Sequence, residues 1–435
     1  MNKYLILPSN SDLNRGDQAL IWNTIEIANN SGFNGDFYML ANKADHAHQS
    51  KKKGIKIIEP ILKHPSRKYD NLNNQKYSAK LIFKWGWVSF FDLLKSLLLL
   101  FRFTRFLGEY LLTNKEKETL TIFKECDYCF VKGGGFIHSQ GKITDNYTIY
   151  YSLFHLMLAR SLKKSIVVMP NSIGPLKGYV VKKLVKHVLN DCKLVTIRES
   201  ISEQCMNSLN IKCKQFPDLG FYLKKNKNNY EEIDQLKRHF PDRQLVGITV
   251  RPYRFPETKN PAEKYENYTS SMVKFSKWLF SKNLIPVFIE HTLSDKEHES
   301  DIRCILEITD QLEKDTFKII SNTDFTCNDL KAIYSNLDFL IGTRFHSVIF
   351  SLSENIPSIA ITYGGNKGMG IMQDLNLGQY AIPMAEFSYE KIVLLFLELS
   401  KNRIEIKNHL VIKNYELNRK YIEFTELLRE YKSLN

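Results

Sequence analysis

The segment Asp338 to Ser347 reads DFLIGTRFHS and sets a fixed cation and an imidazole where an apolar run gives way to a helix. Arg344 offers a planar fork that matches a phosphate or carboxylate, and a helix start favours the same anion. His346 can hydrogen-bond that anion or move a proton near neutral pH. Ser347 is grouped with Arg344 as a donor-binding residue. Lys367 lies in a glycine-rich loop after the run Ser358 to Thr362, placed to neutralise a phosphate or carboxylate. His291 follows the run Ile285 to Ile289, another expected active-site edge, and Asp295 is four residues on. Gly133, Gly134 and Gly135 follow the run Tyr128 to Lys132 directly; without side chains, their amides can approach an anion closely. This trio is neither a dinucleotide fingerprint nor an ATPase loop. Asp17, next to Gly16, is either a charge at a helix start or the group that orients an acceptor hydroxyl or transfers a proton. Asp45, His46 and His48 sit in a polar loop, no HExxH is present, and no metal site is expected.

These residues need a frame that brings strand ends together. Apolar runs at Tyr4 to Leu7, Phe37 to Leu40, Ile55 to Ile58, Tyr128 to Lys132, Ile166 to Met169 and Leu194 to Arg198 alternate with helical stretches. Ser200 is positioned to cap the helix after the last of them. The rhythm restarts at Leu245 to Val250, Ile285 to Ile289, Phe339 to Ile341 and Ser358 to Thr362, with a helix expected near His298 to Ile308. Strands alternating with helices point to parallel βαβ units, an α/β fold in two Rossmann-type lobes. The polar stretch KKNKNN at Lys224 to Asn229 reads as the link. The expected domains are 1–223, 230–388 for the donor, and a helical tail at 389–435.

A chain of 435 residues exceeds what one core usually supports. Its net charge of +14 favours anionic partners. The lysines are spread along the chain and no zinc finger or RNP-like run is present, which argues against nucleic acid. Seven cysteines fit free thiols in a reducing compartment; Cys126 and Cys129 lack the further ligands of a metal set. The apolar run at Tyr4 is too short for an export signal, so a cytoplasmic location is expected.

Residues 81–112 are rich in Phe, Trp and Leu, punctuated by Lys84, Asp92, Lys95, Arg102 and Arg105. The stretch Trp85 to Phe91 is the longest here without a charge, well short of the roughly 20 apolar residues of a span. Trp with Lys and Arg in an apolar segment is what an in-plane membrane helix requires, and internal packing of a hairpin is the competing reading. The expectation is peripheral association with an anionic surface at the inner face of the cell membrane.

Taken in order, Asn14, Gly16, Asp17 and Ala19, then Gly133 to Gly135, then Ser172 to Pro175, Arg198 and Glu199, Asp218, Ile341 to His346, Pro357, Tyr363 and Lys367 make a pattern that resembles the polysaccharide pyruvyl transferase family. The resemblance covers residues 3 to 380. It implies a GT-B-like fold with a cleft between two lobes, phosphoenolpyruvate as donor, and no cofactor. The acceptor it implies is a sugar of a cell-surface polysaccharide, often lipid-linked, which receives a ketal. On that scheme Asp17, His346 and His291 are the catalytic candidates. Arg344, Lys367, Ser347 and the three glycines hold the donor's phosphate and carboxylate. Asn14, Gly16 and Ser172 lie on the acceptor side. The insertion at 81–112 and the long tail depart from a compact family member. A GT-B glycosyltransferase using a nucleotide sugar, and a non-enzymatic membrane-docked assembly factor, are the alternatives.

Overall fold

The computed structural model describes residues 2–64, 79–227, 230–256, 258–294, 299–364 and 367–433. Asp295, His298 and Asn228 and Asn229 of the expected link lie outside the described residues. The chain forms two compact units. One comprises Met1–Asp12, Leu20–Asp218 and Ile422–Asn435; the other comprises Leu13–Ala19 and Leu219–Tyr421. The tail forms two helices, Tyr389–Lys401 and Arg403–Ser433.

The first unit is built on β1 (Lys3–Asn10), β2 (Asp36–Ala41), β3 (Lys56–Ile58), β4 (Tyr128–Val131), β5 (Gly134–Gln140), β6 (Ser165–Lys177), β7 (Leu194–Ile197) and β8 (Lys214–Gln215). They pair in parallel in the order β3-β2-β1-β4-β6-β7-β8, with β5 also on β6. All four residues of β4 are buried, as expected of a parallel strand covered on both faces. Leu5, Phe123, Val131, Phe154 and Val168 belong to its core.

β6 runs on through Ser172 to Pro175 as far as Lys177, because β5 supplies a partner along that length. A local expectation changes here: Gly134 and Gly135 do not form an open anion-binding loop. They begin β5, with Gly134 paired to Asn171. Gly133 is a packing glycine, since a Cβ there would meet the Pro170 carbonyl oxygen at 2.8 Å. Ser200 is the first helical residue after Glu199, one place past the cap.

The second unit holds β9 (Gln244–Thr249), β10 (Leu284–Ile289), β11 (Lys318–Ile320), β12 (Phe339–Gly342), β13 (Ser358–Thr362) and β14 (Ala381–Pro383). The order is β11-β10-β9-β12-β13-β14, again all parallel. Strand order reverses on either side of β9, so the carboxyl ends of β9 and β12 flank the switch point where such sheets bind ligands. Ile341 registers on Ile248, which brings the chain following each strand to the same edge.

Candidate active site

Arg344 leaves β12 as the residue before the helix Phe345–Leu352. Gly342 lets that helix come close, because a Cβ there would stand 2.5 Å from Val348 Cγ2. The turn is tied to the end of β9. Thr343 Oγ1 donates to the Thr249 carbonyl at 2.8 Å, and Thr249 and Ser347 share a hydroxyl bond of 2.8 Å. Ser347 also donates to the Arg344 carbonyl at 2.6 Å and is fully buried. Its hydroxyl therefore fixes the turn from inside rather than facing a donor, a correction to its expected role.

The Arg344 guanidinium is nearly buried and tied down. Its Nε donates to Asp301 Oδ1 at 2.8 Å, Nη2 donates to the same carboxylate, and Nη2 reaches the Glu299 carbonyl at 2.8 Å. Burial pushes its pKa down, and Asp301 and Tyr363 outweigh that and raise it. The other Asp301 oxygen accepts the amides of His291 at 3.2 Å and Thr292 at 2.9 Å. One carboxylate at the start of the helix Asp301–Thr309 thus locks the chain after β10 to the cation after β12. Much of the fork expected to meet a ligand is committed to Asp301, and Arg344 acts at short range as a fixed positive charge.

His291 lies fully inside. Its Nδ1 is 3.0 Å from the Tyr334 hydroxyl, and its Nε2 is buried with no hydrogen-bond partner among the described residues. Burial lowers its pKa well below the usual value; Arg344, Arg15 and Lys367 add to this and Asp17 opposes it. The ring is neutral near pH 7. Burial and Asp301 push the Tyr334 phenol well up, so it keeps its proton.

The residues around Gly16 join this same unit. Asn14 bridges to Thr292, and its Oδ1 accepts the amides of Gly16 at 3.0 Å and Asp17 at 3.3 Å. Asn14 therefore caps the helix Arg15–Asn30, which accounts for it without an acceptor sugar. Buried Arg15 donates from Nε to Asn322 Oδ1 at 2.9 Å, and Asn322 in turn bonds the Glu290 carbonyl at 2.6 Å. Gly16 faces the His346 ring so closely that a Cβ would lie 2.1 Å from Nδ1. Here glycine makes room for an imidazole.

Positive charge concentrates beyond β13. Burial raises the pKa of the Tyr363 phenol, but Arg251, Arg344 and Lys367 together bring it down to about 8. Lys367 begins the helix Lys367–Asp374, and the Arg251 guanidinium lies 4.4 Å from the Tyr363 ring centre. Arg251 Nε is buried without a hydrogen-bond partner among the described residues. Beside them is a cavity of about 420 Å³ lined by Tyr253, Phe255, Lys264, Tyr363, Met369 and Met384, among others. Phe255 holds φ at +44°, a rare conformation for a bulky residue and one that clusters at ligand sites.

The structure thus assembles Asp17, His291, Arg344, His346 and Lys367 in one unit. Gly133, Gly134, Gly135 and Ser172 belong to the other. Ser172 accepts from Arg198 Nε at 2.7 Å and donates to Glu199 Oε2 at 2.8 Å, in a buried network completed by the Arg198–Asp218 ion pair. That network spends its hydroxyl, in place of the expected acceptor contact. Arg251, Asp301 and Arg15 were not singled out from sequence. Arg251 carried a readable signal, a cation just after an apolar run; Asp301 carried none beyond a charge at a helix start. Among the described residues no group of three His, Cys, Asp or Glu side chains is arranged to hold a metal ion.

Two parallel sheets of this order define a GT-B-like fold, with the charged candidates at the strand ends of the second. The fold recurs in a glycosyltransferase from Rickettsia africae, 13% identical with a TM-score of 0.52 over 99% of this chain and 98% of that one. It recurs in UDP-GlcNAc 2-epimerase from Neisseria meningitidis, 12% identical with a TM-score of 0.55 over the whole of both chains. The profile of the polysaccharide pyruvyl transferase family matches residues 14–365, and the chain belongs to that family. It is also 22% identical over 234 residues to the amylovoran biosynthesis protein AmsJ of Erwinia amylovora; the match covers 52% of this chain and 56% of that protein.

Proposed function

We propose that the protein transfers a pyruvyl group from phosphoenolpyruvate to two hydroxyls of a polysaccharide sugar or its lipid-linked precursor. The observation that carries this reading is the convergence of Arg251, Arg344 and Lys367 on Tyr363, strong enough to bring a phenol down to about 8. A small molecule bearing both a carboxylate and a phosphate is the ligand such a field suits. The family, polysaccharide pyruvyl transferase, supports a pyruvyl group as what is transferred.

In this reaction the donor's methylene carbon takes a proton while a sugar oxygen bonds to the neighbouring carbon and gives up its own proton. The second hydroxyl then attacks that carbon, phosphate leaves, and the hydroxyl proton ends on phosphate. His346, set by Gly16 at the turn after β12, is assigned the proton transfers, and Asp17 the acceptor hydroxyl. His291, neutral and held by Tyr334, is assigned a hydrogen bond from Nε2 to the donor rather than an acid's role. The fixed charges of Arg251, Arg344 and Lys367 stabilise the anion as its charge redistributes.

A second reading has its own support. The aromatic cavity adjoining the cations has the size and lining for a nucleobase, and the solved relatives include nucleotide-sugar enzymes. Thermal unfolding separates the two. Phosphoenolpyruvate at a hundred times its dissociation constant is expected to stabilise the protein by about 2.7 kcal/mol, and Arg251→Ala to abolish the effect. Stabilisation by a uridine nucleotide sugar with none by phosphoenolpyruvate rejects pyruvyl transfer in favour of glycosyl transfer.

A further inference from the structure

The helix Ala79–Leu100 in the first unit is turned inside out. Four of its polar side chains face the protein. Ser89 donates to the Tyr147 hydroxyl at 2.6 Å, Asp92 accepts from Tyr151 at 2.9 Å, Ser96 meets Tyr150 at 2.6 Å, and Lys95 pairs with Glu116 at 3.0 Å. These bonds fix its rotation. Phe83, Trp87, Phe90, Leu94, Leu97 and Phe101 are left on the outside at alternating spacings of four and three, one stripe along the helix. Phe91 and Leu93, also exposed, widen it to an arc of about 160° at 100° per residue. The helix Arg105–Tyr110 packs beside it and adds Phe106 and Leu107, and Phe103 between the two helices is 89% exposed.

Charge on this surface has one sign. The exposed charged residues from Phe83 to Leu112 are Lys84, beside the start of the arc, and Arg102, just past the helix's last residue. Asp92 is buried on the inner face, and the remaining carboxylate, Glu109, pairs with Lys124 at 2.7 Å. A helix-to-helix seam is narrower than this arc and takes charges of both signs along its flanks. A wide apolar surface with aromatic rings and only cations is suited to a flat apolar phase beneath an anionic layer.

We infer that the outward face of residues 83–111 docks the protein in the plane of an anionic lipid bilayer. No helix among the described residues is long and apolar enough to cross a membrane, so the contact is lateral. This inference holds whichever donor the second unit takes.

Co-sedimentation of the full chain with vesicles tests it. Binding to mixed phosphatidylglycerol and phosphatidylcholine vesicles is expected to exceed binding to phosphatidylcholine alone at least tenfold at low salt. Trp87→Ser/Phe90→Ser/Phe103→Ser is expected to reduce it at least tenfold without lowering the unfolding temperature, since all three side chains are exposed. Lys84→Gln/Arg102→Gln is expected to erase the preference for anionic lipid. Equal binding to neutral vesicles, unchanged binding by the triple variant, or a dimer that the triple variant dissolves while vesicles are ignored would each overturn the inference.

Discussion

Tyr363 shows what a single residue reports about a site. A phenol normally titrates near 10, and here three cations overcome burial and bring it to about 8. A depressed acid adds stability as pH rises from about 8 towards 10 and loses it as pH falls through about 8. The gain is at most about 3 kcal/mol. The same phenolate competes with a bound anion for the same cations. Donor affinity is therefore expected to fall as pH rises through 8, and calorimetry on Tyr363→Phe to show a flatter profile. An unchanged profile in that variant would separate Tyr363 from the donor site. Sequence alone disclosed Arg344, His346 and Lys367, because charged groups after apolar runs mark strand ends. It did not disclose that Tyr363 sits among them, since that depends on the length and path of the turn after β13.

At the scale of elements, the site depends on the ends of β10 and β12 being held together. Asp301 does this from the first turn of its helix, gripping the chain after β10 and the Arg344 fork after β12. Burial raises its pKa more than Arg344 lowers it, a sign that the carboxylate is costly to keep charged there. Removing one member of a buried pair leaves the other uncompensated. Asp301→Ala is expected to cost about 3–5 kcal/mol in denaturant unfolding, as Arg344 loses its partner. A cost within that of an exposed surface change would remove Asp301 from this role. The strands themselves were legible as apolar runs. Their ends were less so: the run read as Ile166 to Met169 continues to Lys177, because β5 pairs there. Pairing is a long-range fact, and local composition does not carry it.

Two parallel sheets were implicit in the alternation of strand and helix along the whole chain, though their strand order was not. The neighbours of residues distant in sequence were not. Nothing near Gly16 indicates that it belongs with the second unit, where a Cβ on it would lie 2.1 Å from His346 Nδ1. The two glycine readings also diverged at this scale. Gly133 lies against the Pro170 carbonyl, a matter of packing, whereas Gly16 leaves space for a side chain assigned to proton transfer. A methyl group at that distance cannot be absorbed by relaxation of a few tenths of an ångström, so Gly16→Ala must move the imidazole or the helix start. If it acts by moving His346, Gly16→Ala and His346→Ala each lower kcat/KM by tenfold or more, and the double variant is no worse than the poorer single. Contacting residues that act as a unit show such non-additivity. Losses that multiply instead would mean that Gly16 serves the reaction by a route that does not pass through His346.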